Sequence, residues 1–148
     1  MEQELGTITK KLEKQKGIYK MFVCEILSPE KREGKARFYI DTYRKCKFLF
    51  TDAQNKRFRQ AGLKENSVVA CLDDFHPHGN GVNIGEYSFM RKGFGQKMFN
   101  QIILWMKEEN VEMVFLDSTS IQMKNFVLKN NFLPANRRKN KWYKIISK

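Results

Sequence analysis

A basic glycine turn near the middle of the chain has residue types and a spacing that could do chemistry. Gly93 and Gly95 stand two residues apart, directly after Arg91 and Lys92. Because glycine has no Cβ, backbone N–H groups can approach a bulky ligand closely there. A helical apolar pattern begins at Phe94, and the first N–H groups of a helix have no partner within it and attract anions. The segment therefore predicts a site for a phosphate-bearing ligand.

A second polar segment, residues 73–80, contains both histidines of the chain, His76 and His78. Pro77 lies between them and keeps them extended and pointing apart, which is a poor arrangement for chelating one metal ion. We therefore predict no metal site, and turn chemistry accounts for much of the segment. Histidine titrates near neutrality, so His76 or His78, or the neighbouring Asp74, could accept a proton from an amine.

The elements around the glycine turn follow a regular order. Apolar residues recur every three or four positions after the turn, which is typical of a helix. The predicted elements are a strand over 82–89, a helix from 94 ending at Asn110, a strand over 111–116, a helix over 121–130, and a strand, turn and strand over 132–146. A strand–helix–strand crossover implies neighbouring parallel strands in one sheet.

Within 82–89 the apolar residues change from even to odd positions around Gly85 and Glu86. This switch indicates either a β-bulge or a regular strand buried on both faces.

Residues 82–146 resemble the C-terminal two-thirds of the GNAT-type N-acetyltransferase superfamily in element order and in two motifs. The turn around Gly93 and Gly95 is similar to the superfamily's Arg/Gln-x-x-Gly-x-Gly/Ala turn, and residues 124–132 are similar to a later helix that closes with Tyr-x-x-x-Gly-Phe. The resemblance implies an α/β fold with a mixed, partly antiparallel sheet and helices packed on it. It also implies that the turn holds the pyrophosphate of acetyl-coenzyme A. The implied cofactor-binding residues are Met90, Arg91, Lys92, Gly93, Phe94, Gly95 and Gln96.

The motifs depart from the superfamily pattern at three positions. Met90 stands where Arg or Gln is usual, and Asn131 replaces a glycine but can still adopt the left-handed conformation. Val127 stands where the superfamily often carries a tyrosine that reprotonates the leaving thiolate. Because valine cannot donate a proton, an active enzyme needs another donor or water, and Tyr143 on the final predicted strand is our first choice, ahead of Tyr87.

The N-terminal half leaves alternatives open. Residues 1–16 read as a short charged helix or a frayed arm, and 18–27 as a buried strand. Alternation over 36–50 favours a pair of strands with Phe48 and Phe50 on the buried face, although a helical stripe also fits. The remaining predictions are a short helix from Thr51–Asp52 to Gly62, or a hairpin turn over 52–56, and a strand over 67–72. The superfamily's usual opening strand and two helices are not evident, so we expect this end to be trimmed or remodelled.

Composition bounds the class of protein. A chain of 148 residues with 41% apolar residues can bury one core, so we expect a single domain over 1–148. No apolar run is long enough to cross a membrane, and no signal peptide is evident. Three well-spaced cysteines without a CxxC pair indicate reduced thiols and a cytoplasmic protein. The net charge of +12 favours an anionic partner.

These observations predict an acyl-coenzyme A-dependent N-acetyltransferase that transfers its acyl group directly to an amine, without metal. Glu86, His76 or His78 would deprotonate the amine, which is carried by a small molecule or a peptide. The alternative is a basic nucleic-acid-binding protein on an acyltransferase fold that has lost catalysis. The missing tyrosine and the net charge of +12 favour that alternative, whereas the intact glycine turn opposes it.

Overall fold

The computed structural model describes residues 7–27, 33–76, 94–117, 121–136 and 140–146. Its elements are, in chain order, β1 Thr7–Lys16, β2 Tyr19–Leu27, β3 Glu33–Thr42, α1 Tyr43–Cys46, a 3-10 turn Lys47–Leu49, α2 Asp52–Gln60, β4 Val68–His76, α3 Phe94–Glu108, β5 Val111–Asp117, α4 Ile121–Lys129, β6 Leu133–Pro134 and β7 Lys141–Ile145. Within the described ranges no helix is long and apolar enough to cross a membrane.

The described strands form one mixed sheet in the order β1-β2-β3-β4-β5-β7-β6. Strand β4 runs parallel to β5, and every other neighbouring pair is antiparallel. Helix α3 lies between the parallel strands β4 and β5 in the chain. The predicted crossover started from a strand over 82–89, and that strand and its bulge lie outside the described residues.

Helices cover both faces of the sheet. On the first face, Met98, Phe99, Ile102 and Met106 of α3 and Val127 of α4 pack into one core. On the second face, α1 and α2 enclose a core around Phe58, Phe115 and Tyr143. The alternation of side chains along each strand supplies both cores at once, because successive residues point to opposite faces.

The predicted helix ends follow from local chemistry. Helix α2 begins with a capping box, in which the Thr51 hydroxyl accepts from the Gln54 backbone N–H and the Gln54 side chain accepts from the Thr51 N–H. Asn110 and Asn131, which follow α3 and α4, have φ of 64° and 68°. Both asparagines therefore adopt the left-handed conformation expected of them.

Two predictions for the N-terminal half are wrong. Residues 7–16 form strand β1 rather than a helix or arm, because they pair along their whole length with β2. Strand β1 lies at the edge of the sheet and contains lysines at positions 10, 11, 14 and 16. Their positive charge discourages strands of other chains from pairing with this edge.

The second wrong prediction concerns residues 43–50, which form α1 and the 3-10 turn rather than a second strand. Tyr43 and Cys46, three residues apart, share one buried helical face, and Phe48 is exposed instead of buried. The alternation that favoured a strand is thus overridden by tertiary packing.

A strand and two helices, β3, α1 and α2, follow one another in this half of the chain, and the strands β1 and β2 precede them.

Candidate active site

The parallel strands β4 and β5 separate at their carboxyl ends. Their pairing runs from Val68 opposite Val111 to Cys71 opposite Phe115. Beyond that point β4 continues to His76 beside β3, and β5 continues to Asp117 beside β7. Among the described strands, none pairs with the freed edges of β4 and β5. The backbone N–H and C=O groups on those edges are thus available to a ligand, since such groups need hydrogen-bond partners.

A β-bulge at Asp73 lies beside this separation. Arg37 of β3 stands opposite Asp74, and the next residue, Phe38, stands opposite Leu72, so Asp73 is the extra residue on β4. A bulge bends its strand and increases the local twist, which accounts for β4 leaving β5 here. The sequence predicts a strand over 67–72 and attributes much of 73–80 to turn chemistry, whereas β4 extends through residues 73–76.

Two carboxylates flank the separation on the face covered by α1 and α2. Asp73 accepts hydrogen bonds from Arg37 Nε at 3.0 Å and Nη2 at 2.9 Å. Asp117 ends β5 opposite Lys141 of β7. Both aspartates are exposed, so they can exchange protons with solvent.

Tyr39 of β3 stands opposite Cys71 of β4, at the last pair before the strands separate, and donates a hydrogen bond to the Cys71 thiol. Burial is the main cause of the raised pKa of Tyr39, and the bond to Cys71 raises it further. Burial also raises the pKa of Cys71 to about 12. Both groups therefore stay protonated near neutrality, and Tyr39 remains a hydrogen-bond donor.

The first turn of α3 is tied to the end of α4. Gln96 Nε2 donates to Asn130 Oδ1 at 2.7 Å, and Asn130 Nδ2 donates back to Gln96 Oε1 at 3.2 Å. Gln96 also donates to Asn100 at 2.8 Å. The Lys144 ammonium donates a hydrogen bond to the Asn130 backbone carbonyl at 3.0 Å. These bonds hold the beginning of α3, where the predicted phosphate site would lie.

The sequence-predicted site residues fall into three groups. His78, Glu86, Tyr87 and Met90–Gly93 lie outside the described residues. Phe94, Gly95 and Gln96 begin α3, and His76 ends β4, so the predicted cofactor turn and one predicted base belong to the elements around the separation. Tyr143 is buried under α2, with its ring 4.9 Å from that of Phe58 in an edge-to-face contact. Val127 is fully buried in the other core.

Sequence reasoning missed Asp73, Asp117 and Tyr39 as site residues. One signal was present, since the apolar residues Leu72 and Phe75 stand an odd number of positions apart in what is a strand. That switch of parity indicates a bulge, by the argument we applied to 82–89. No local pattern in the sequence indicates that Tyr39 and Asp117 lie on the two strands that flank β4. Within the described ranges no group of His, Cys, Asp or Glu could hold a metal ion.

Comparison with protein-family models gave no match, and neither did comparison with characterised protein sequences. Solved structures are similar. AtaT complexed with acetyl-methionyl-tRNAfMet superposes with a TM-score of 0.53 at 12% identity, over 86% of this chain and 71% of that one. AtaTR bound with acetyl-coenzyme A gives 0.51 at 12% identity over 86% and 70%. A tyrosine-to-phenylalanine mutant of KacT gives 0.50 at 14% identity over 86% and 71%.

AtaT and KacT are toxins with the GNAT acetyltransferase fold. The chain therefore has that fold, as the mixed sheet and its packed helices indicate.

Proposed function

We propose that this protein is an acetyl-coenzyme A-dependent N-acetyltransferase that transfers the acetyl group directly to an amine. The observation that carries the proposal is the separation of β4 from β5 beside the Asp73 bulge. In the superfamily, a bulged strand of this kind splays two parallel strands and admits the pantetheine arm of the cofactor. A structural neighbour was solved with acetyl-coenzyme A bound, which supports the same ligand here.

The residues present fit such a ligand. The freed edge of β4 from Leu72 onward offers backbone groups to an extended amide-bearing chain. The N-terminus of α3 offers N–H groups and a favourable dipole to phosphate. The side chains and amides of Met90 to Gln96 would supply the remaining contacts with the pyrophosphate. Bound acetyl-coenzyme A supplies a thioester, and the chain must supply proton transfer.

We assign deprotonation of the acceptor ammonium to a group near the carboxyl end of β4. His76, His78 and Glu86 remain our proposals from the sequence, and Asp117 joins them because it is exposed on the second strand at the separation. Asp73 ranks after them, because its carboxylate is already paired with Arg37. A base at this position could act directly or through one water molecule.

Two described phenols could donate a hydrogen bond to the departing thiolate. Tyr39 is half-buried and already donates to the sulfur of Cys71 beside the separation. Tyr143, our choice from the sequence, packs against Phe58 in the α2 core and is only 6% exposed. We therefore rank Tyr39 first. If a phenol is required, its replacement by phenylalanine should lower kcat by roughly 10²–10⁴-fold.

The acceptor amine that we propose is carried by an RNA. A structural neighbour was solved with acetyl-methionyl-tRNAfMet, and the net charge of +12 suits a polyanionic substrate. The same charge favours the second candidate function, a nucleic-acid-binding protein without catalysis. After Asp117 the chain contains eight Lys or Arg and no acidic residue.

A ligand-stabilisation experiment tests the proposal. A ligand at one hundred times its Kd should stabilise the fold by about 2.7 kcal/mol, so acetyl-coenzyme A should raise the melting temperature by several degrees. Gly93→Glu should abolish the rise, whereas Ala53→Glu, which adds the same charge at an exposed position of α2, should preserve it. The proposal is wrong if millimolar acetyl-coenzyme A leaves the wild-type melting temperature unchanged.

An acetylation assay distinguishes the N-acetyltransferase from the nucleic-acid-binding protein without catalysis. The enzyme should transfer acetyl groups from acetyl-coenzyme A to an aminoacylated RNA, and Tyr39→Phe should lose more activity than Tyr143→Phe. Salt-dependent oligonucleotide binding that is lost on replacing Arg137, Arg138 and Lys139 by Ala, with no response to acetyl-coenzyme A, would favour the binding protein. Lys141 stays unchanged in that variant because it bonds to the Leu49 carbonyl.

A further inference from the structure

Phe48 is an exception among the phenylalanines that the structure describes. Its side chain is 78% exposed, and the adjacent Leu49 is 37% exposed. The buried phenylalanines of the two cores are 7% exposed or less. Packing among the described residues therefore does not account for an aromatic residue at position 48.

The turn that carries Phe48 is held in place on both sides. Asn55, itself buried, donates from its side chain to the Lys47 carbonyl at 2.9 Å and accepts from the Tyr43 hydroxyl. On the other side the Lys141 ammonium donates to the Leu49 carbonyl at 2.9 Å. An exposed aromatic ring on a restrained backbone is preorganised for contact, because binding need not order the segment that carries it.

The surface around the turn is strongly basic. Residues 43–64 contain seven Lys or Arg and a single acidic residue, Asp52. Six of the seven are exposed, and Lys47 is half-buried. The seven residues are Arg44, Lys45, Lys47, Lys56, Arg57, Arg59 and Lys64. Lys47 is paired with Glu65 at 2.6 Å and Arg59 is hydrogen-bonded to Tyr43, so the other five cations are the ones placed to contact an anionic partner.

This basic surface adjoins the candidate active site. The ring of Phe50, two residues after Phe48, lies 5.2 Å from the ring of Phe115, and Phe115 forms the last pair with Cys71 before the strands separate. Lys141, which bonds to Leu49, stands opposite Asp117 at the end of β5. The turn that carries Phe48 is therefore connected, through Phe50 and Lys141, to residues at the end of β5.

We propose that Phe48 is a stacking platform for a base at the single-stranded end of a nucleic acid, whose phosphates contact the cations of α1 and α2. Aromatic rings beside cations bind single strands, since every base has a face that can stack. A protein partner fits less well, because charged residues are depleted at the cores of protein–protein interfaces and cations surround Phe48 in the sequence. The inference rests on the proposed function and deepens it, since the stacked end would carry the acceptor amine.

Binding of a labelled eight-nucleotide single-stranded RNA tests the platform. Stacking of one base contributes about 1–3 kcal/mol, so Phe48→Ala should raise the Kd by about 5- to 150-fold. Phe48→Trp should keep the affinity, and Phe48→Leu, which keeps apolar bulk without a ring, should lose it. Phe48 is exposed, so the melting temperatures of the three variants should match the wild type. Lys56→Ala should lower the slope of log K against log salt by about 1.

Acetylation assays separate this inference from the proposed function. With a short RNA duplex whose single-stranded 3′ end is esterified to an amino acid, Phe48→Ala should raise KM. Its melting response to acetyl-coenzyme A should match the wild type. If the RNA Kd is the same in wild type and Phe48→Ala, or Phe48→Leu binds as tightly as wild type, the platform is overturned. If Phe48→Ala weakens RNA binding while wild type fails to respond to acetyl-coenzyme A, the platform stands and the enzymatic proposal fails.

Discussion

Gln96 and Asn130 form a hydrogen-bonded pair that holds the first turn of α3 beside the predicted cofactor turn. The contribution of this pair to the free energy of unfolding can be measured. The Asn130 side chain makes three bonds, accepting from Gln96 at 2.7 Å and donating to Gln96 at 3.2 Å and to the Phe126 carbonyl at 2.8 Å. Both side chains are half-buried, so each bond should contribute about 0.5–1 kcal/mol net. Asn130→Ala should therefore lower the free energy of unfolding by about 2 kcal/mol and the melting temperature by about 4–8 °C.

A double-mutant cycle isolates the pair from the other bonds. Combining Asn130→Ala with Gln96→Ala should give a coupling energy of about 1–2 kcal/mol, measured by urea denaturation, because two bonds are shared. Asn125→Ala, at an exposed position of the same helix, should change stability by less than about 0.5 kcal/mol. Because the pair holds the first turn of α3, Asn130→Ala should also raise the Kd for acetyl-coenzyme A. A coupling energy below about 0.3 kcal/mol would refute the structural reasoning.

Three further predictions concern stability. Asn131 has φ of 68°, so Asn131→Ala should cost about 1 kcal/mol in urea denaturation while Asn131→Gly stays within about 0.5 kcal/mol of wild type. Phe58 is fully buried against Tyr43, Phe50 and Tyr143, so Phe58→Ala should cost about 3–5 kcal/mol, and a smaller loss would contradict the second core. Burial raises the pKa of Cys24 to about 12, whereas an unfolded thiol has a pKa of about 8.5. Ionisation then favours the unfolded chain, so stability should fall as pH rises from about 8.5 towards 12, and Cys24→Ala should reduce the fall in urea midpoint between pH 8 and pH 10.5.

The sequence determined the C-terminal half of the fold because its signals are local. The period of the apolar residues identified α3, β5 and α4, and Asn110 and Asn131 end helices through their own backbone preference. The glycine turn and the order of elements also sufficed to identify the GNAT-type fold. Helix α2, which the sequence predicted as one alternative to a hairpin turn, begins at a capping box within four consecutive residues.

Only the tertiary structure decided the N-terminal half and the composition of the site. Residues 7–16 become a strand because β2 pairs with them, and Tyr43 and Cys46 turn a strand-like segment into a helix by sharing a buried face. The separation of β4 from β5 depends on which strands neighbour one another, so the placement of Asp73 and Asp117 beside it is decided only in the folded sheet. The pairing of Tyr39 with Cys71, 32 positions apart in the chain, is likewise set by strand register. A sequence pattern reports what a residue and its near neighbours prefer, whereas register and strand order arise from contacts between distant segments.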